Sequence, residues 1–187
     1  MVIVNFIYLK TNYDIMKQSI FFIYFLALIS LTFSQEKTTS FPENAVGIYK
    51  GVLHINASGR TQEIPMEFHL KKTDSAHKFD YILVYNKQPR NYTLIVKNKE
   101  KGIYTIDENN GIVIPAKFAN KTLYSFFEVQ KNFLSTRFEF SKNQLDFEIL
   151  FTATKNKITS GGTSKEIPKV FGFPILTIQK AVLKKME

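Results

Sequence analysis

Between Leu123 and Thr154 the chain switches from apolar to polar at almost every step, and this pattern limits its fold more than any other. Leu123–Gln130 alternates, Lys131-Asn132 interrupts, Phe133–Phe140 alternates, Ser141–Asn143 interrupts, and Gln144–Thr154 alternates again. A period of two marks strands with one buried face. Breaks of two or three residues mark hairpins, so the three strands are antiparallel neighbours. Leu123, Ser125, Phe127, Val129, Leu134, Thr136, Phe138, Phe140, Leu145, Phe147, Ile149 and Phe151 fall on the inward face. Glu128, Arg137, Glu139, Asp146 and Glu148 fall on the outward one.

The same theme runs upstream. Strands are expected at Val46–Asn56, Glu63–Lys72, Phe79–Asn86, Tyr92–Lys97, Gly102–Asp107 and Ile112–Phe118, with turns between them, Lys87–Arg90 included. Gly47 and Gly51 share the inward face of the first strand, which permits a bend or the close approach of another segment. Asn110-Gly111 is a strong hairpin signal, and Pro115 suggests an edge or a bulge. Lys155–Lys169, with Gly161-Gly162 and Pro168, reads as a mobile loop. Ile175–Lys184 reads as either a strand or a short helix, since Leu176, Ala181, Val182 and Leu183 fit neither period cleanly; a strand is favoured because the sheet needs a partner to close. The fold class is all-β: an up-and-down antiparallel meander of about eight to ten strands. Closing it into a barrel removes the unpaired edges.

Three regions follow from composition along the chain. Residues 1–34 read as an upstream extension and a signal peptide. Within them Lys17 precedes an apolar run of 14 residues, Ile20–Phe33, ending at Ser34; this is shorter than the roughly 20 a spanning helix needs. Residues 35–44 read as a linker, and 45–187 as a single barrel domain large enough to bury a core. The mature chain is expected to be exported, to the periplasm or outside the cell, with no membrane span. No cysteine is present, which excludes disulfides, thiolate nucleophiles and cysteine metal sites.

The net charge is +9, but only Arg60, Arg90 and Arg137 are arginines, and the lysines are scattered. Nucleic acid is not expected as a partner, because phosphate and base recognition favour clustered arginine; lysines on a sheet surface keep its edges solvated. His54 and His69 fall on outward faces and do not converge as metal ligands would. Asp107, Glu108, Asp146 and Glu148 sit at a hairpin and on an outer face, with no cleft to join them. Nothing in the chain is a catalytic signature, and no cofactor or metal is expected.

Gly47-Ile48-Tyr49 on the first strand is similar to the Gly-x-Trp motif of lipocalins, with tyrosine in place of tryptophan. Together with the meander, it makes the chain resemble the calycins, the lipocalin and fatty-acid-binding-protein-like barrels. It departs from them in having no tryptophan and no helical pattern before the last strand. The resemblance implies a barrel that binds or carries a small hydrophobic ligand inside. Inward aromatics and hydroxyls give the candidate ligand-binding residues: Tyr49, Tyr81, Tyr85, Ser125, Phe127, Thr136, Phe138 and Phe147. The alternative is a structural or interaction barrel of the cell envelope, with a filled core, a protein partner and no ligand.

Overall fold

A computed structural model describes residues 40–187. The expected upstream extension and signal peptide, and half of the expected linker, lie outside these residues. The strands are β1 (Gly47–Ala57), β2 (Arg60–Lys72), β3 (Lys78–Tyr85), β4 (Gln88–Asn98), β5 (Ile103–Asp107) and β6 (Val113–Ala119). They continue with β7 (Thr122–Val129), β8 (Asn132–Phe140), β9 (Gln144–Ala153), β10 (Ile158–Ser160), β11 (Val170–Gly172) and β12 (Thr177–Lys185). Ten of them close an antiparallel barrel in the order β1-β12-β9-β8-β7-β6-β5-β4-β3-β2. The meander and its closure agree with the expected architecture, and the last element is a strand. β12 closes the barrel by pairing with β9 on one side and β1 on the other.

Several turns are tight because their residues accept positive φ. Ser58-Gly59, Asn86-Lys87, Asn120-Lys121 and Gln130-Lys131 each hold two consecutive residues there, the geometry that suits the twist of a two-residue hairpin. Gly51 has a different role. A Cβ on it would lie 2.5 Å from the Val182 carbonyl oxygen and 3.0 Å from the Leu183 side chain. A side chain there would hold β12 away from β1.

Inward residues are apolar and buried, among them Leu53, Phe68, Leu70, Leu94, Leu145 and Leu183. The outer face is charged, with ion pairs such as Lys50–Glu67 at 3.0 Å and Lys180–Glu148 at 2.9 Å. This is the reverse of the apolar-out, polar-in alternation of membrane-spanning barrels. Among the described residues no helix is long and apolar enough to cross a membrane.

Four expectations need correction. Phe41–Asn44 is not linker: Phe41 is buried and belongs to the core. Polar neighbours hide this single anchor from any periodicity. Lys155–Lys169 is not wholly loop. Ile158–Ser160 pairs with Val170–Gly172 as a separate ribbon, each strand being too short to show alternation. The turn after β3 is only Asn86-Lys87, so Pro89 and Arg90 belong to β4. Pro115 lies inside the barrel wall rather than on an edge strand.

The strand prolines share one explanation. Pro65 lies just beyond Met66↔Tyr85, where the β2–β3 ladder stops. Pro89 lies beyond Thr93↔Asp107, where the β4–β5 ladder stops. Pro115 lies beyond Lys117↔Tyr124, where the β6–β7 ladder stops. Proline has no N–H for a ladder, and each stands where the ladder to one neighbouring strand has already ended. All three ladders end toward the same rim, so the barrel is splayed there.

Candidate ligand site

The two ends of the barrel are built differently. A barrel of about eight strands is just filled by its own side chains, and ten strands enclose more. At one end the chain fills the extra space itself. Phe41 enters the base and stacks on Phe118 with ring centroids 4.0 Å apart and planes 7° from parallel. It also meets the edge of Tyr104 at 5.2 Å and Phe140 at 5.3 Å. The hydroxyl of Tyr104 donates to the Phe41 carbonyl at 3.1 Å, and that of Tyr49 donates to the Ala45 carbonyl at 2.9 Å. Lys99 pairs with Glu43 at 2.6 Å. Burial alone would raise the Glu43 carboxyl, but the Lys99 bond and charge outweigh it and hold the group below its ordinary value.

Above this base lies a layer of aromatic rings. Phe68 meets Tyr81 edge-on at 4.9 Å and Phe138 at 5.6 Å, and Phe138 meets Phe147 edge-on at 4.9 Å. Such edge-to-face contacts give a rigid floor.

On the far side of this layer the barrel is hollow. A cavity of about 230 Å3 is lined by Tyr81, Leu83, Tyr85, Arg90, Tyr92, Ile106, Glu108, Ile114, Ser125, Phe127, Val129, Leu134, Thr136, Phe138 and Ile149. These come from β3 to β9 and the β5–β6 turn. The volume is a little below the ~300 Å3 at the small end of common ligand sites. Beside it the barrel wall is incomplete: β6 and β7 pair only from Lys117↔Tyr124 to Ala119↔Thr122, so the ladder has ended before it reaches Ser125.

The polar groups of the cavity are few. Ser125, 5 % exposed, carries the only fully covered side-chain polar atom among the described residues that has no hydrogen-bond partner. It stands opposite Thr136 across the β7–β8 ladder. Tyr81, Tyr85 and Tyr92 add three phenols, none of which bonds another described side chain or carbonyl. Burial pushes the Tyr81 hydroxyl well above its ordinary value, and the neighbouring phenols Tyr85 and Tyr92 push it further. Burial likewise raises Tyr85, against the pull of Arg90, whose guanidinium lies 5.3 Å from the Tyr85 ring centroid.

Six of the expected site residues therefore meet in one cavity: Tyr81, Tyr85, Ser125, Phe127, Thr136 and Phe138. Two do not. Tyr49, the tyrosine of the Gly-x-Trp-like triplet, closes the base, and Phe147 packs behind Phe138. The sequence missed Tyr92, Arg90 and Glu108. Tyr92 was detectable, since it shares the inward face of β4 and stands opposite Tyr81.

Other features of the surface do not make a site. A concavity of about 520 Å3 on the outer face involves Arg137, Glu139, Asp146, Glu148 and Lys180. Its polar groups are taken up locally: Arg137 pairs with Glu139, Glu148 pairs with Lys180, and Asp146 accepts from the Gln144 amide. His54 and His69 lie outside the barrel beside Glu63 and Glu67, at 3.0 and 2.7 Å. Among the described residues no group of three potential metal ligands gathers.

No protein family model matches the chain, and no curated protein matches it. Its functional reading therefore rests on the cavity.

Proposed function

We propose that the chain is an exported binding protein that holds a small, largely apolar molecule in the hollow end of its barrel. One observation carries this reading: the same barrel is closed at its base by its own Phe41 and left empty at the other end. Closing one end while lining the other with leucine, isoleucine and phenylalanine leaves a concave apolar site with a few fixed polar groups, the usual form of a small-molecule pocket. At the ~0.74 packing density of protein interiors, the space suits a molecule of about ten non-hydrogen atoms. Long lipids would have to protrude.

Native mass spectrometry of the protein purified from its own cells tests this. The expected spectrum shows an added mass of roughly 100–200 Da, that of about ten light atoms, which leaves on unfolding. A single unliganded mass, unchanged after incubation with 1 mM ethylbenzene, would contradict the reading and favour a purely structural barrel.

A further inference from the structure

The polar groups of the cavity restrict what its ligand carries. Ser125 is buried, its hydroxyl has no partner, and it lines the cavity beside Thr136. A buried hydroxyl left without a partner is unfavourable, and Ser125 stands in the wall of a cavity whose occupant could supply one. The phenols of Tyr81, Tyr85 and Tyr92 line the same space. A hydroxyl or phenol both donates and accepts, and none of these groups carries charge.

The only charged residues of the lining are Arg90 and Glu108. They have opposite signs, and Arg90 is exposed at the rim. A carboxylate drawn to Arg90 stays at the exposed rim, over the Tyr85 ring; carried inward to Ser125 it would be an ion in an uncharged lining, which is strongly disfavoured. An ammonium ligand meets the converse problem, with Arg90 repelling it where Glu108 attracts it.

We propose that the hollow end selects an uncharged ligand that turns a hydroxyl or carbonyl oxygen inward, onto Ser125 and the phenols around it. This rests on the cavity being a binding site. A head-inward, uncharged ligand is the opposite of an arrangement in which a carboxylate sits at Arg90 with its tail inside. In that arrangement a hydrocarbon tail would cover Ser125 and leave its hydroxyl unsatisfied.

Three molecules that share one skeleton separate these cases: ethylbenzene, 2-phenylethanol and phenylacetate. Each is titrated at pH 7 into the full chain and into Ser125→Ala, by calorimetry or by amide shifts, with a thermal melt confirming that the variant is folded. The alcohol is expected to bind the native protein at least tenfold more tightly than phenylacetate. Ser125→Ala is expected to weaken the alcohol about fivefold while leaving ethylbenzene as tight or tighter. Phenylacetate binding as tightly as the alcohol, or an alcohol affinity untouched by Ser125→Ala, would overturn the inference. If ethylbenzene binds and the alcohol does not, the cavity remains a ligand site and only its polar selectivity falls. If none of the three binds, the cavity is not a ligand site for molecules of this size, and both readings fall together.

Discussion

The base and the mouth of this barrel use the same residue types to opposite ends. At the base, tyrosine hydroxyls are spent on the chain's own carbonyls: Tyr49 on Ala45 and Tyr104 on Phe41. At the mouth, Tyr81, Tyr85 and Ser125 surround empty space, and Ser125 has no partner at all. Rings behave likewise. Phe41 is wedged among Phe118, Tyr104 and Phe140, whereas Phe127 is half-buried on a cavity wall. What differs is the neighbourhood. One end has a plug segment; at the other, three ladders end short of a strand proline.

The sharpest way to break this comparison is to truncate one ring at each end. Phe41→Ala removes a fully packed side chain, and urea unfolding should show a loss of about 3–5 kcal/mol. Phe127→Ala should lose less than about 2 kcal/mol, because much of what it touches is space. Equal losses would mean that the mouth is as tightly packed as the base.

Alkaline pH reaches both ends at once. Burial raises Tyr49 and Tyr104 to about 12 and raises Tyr81 and Tyr85 as well. Below pH 10 these phenols are protonated in both folded and unfolded chains, so they add no pH dependence. Above pH 10 the unfolded chain releases protons that the native state keeps, and stability falls. The expected loss is roughly 1 kcal/mol per phenol by pH 11, read as a falling denaturant midpoint. Tyrosinate absorbance from these four should appear only with unfolding. Early, reversible ionisation of the four in the folded protein would refute the burial assigned to them.

Hydroxyl deletions give a smaller contrast. Tyr104→Phe leaves the Phe41 carbonyl without its donor and should cost about 1–2 kcal/mol. Tyr85→Phe should change stability by less than about 0.5 kcal/mol. Smallest of all, Ser125→Ala should be neutral or stabilise the unliganded protein by up to about 1 kcal/mol, since it removes an unsatisfied hydroxyl. A clear loss at Ser125 would show that its hydroxyl has a structural partner after all.

Much of the barrel was legible in the sequence because alternation reports which side of a strand faces in. It placed Tyr81, Ser125 and Phe138 inside together, and Arg137 and Glu148 outside. Alternation carries no information about height along the barrel axis, so Tyr49 and Tyr81 look equivalent although one closes the base and the other lines the cavity. Phe41 was invisible for a related reason: a single anchor between Ser40 and Pro42 has no period. Arg90 was hidden by Pro89, whose missing N–H suggests a turn. Here it costs no ladder bond toward β5, because β5 has already ended.

The central claim is that the mouth half alone is open to a small molecule. An amide-shift titration of the native protein with 2-phenylethanol tests it most directly. Shifts are predicted at Ile106, Ile114, Ser125, Thr136 and Ile149, with none at Leu53, Leu70, Leu145 or Leu183 in the filled core. Shifts spread evenly over both halves would contradict the account. So would shifts confined to Phe126, Phe133 and Phe173, which line an apolar hollow outside the barrel.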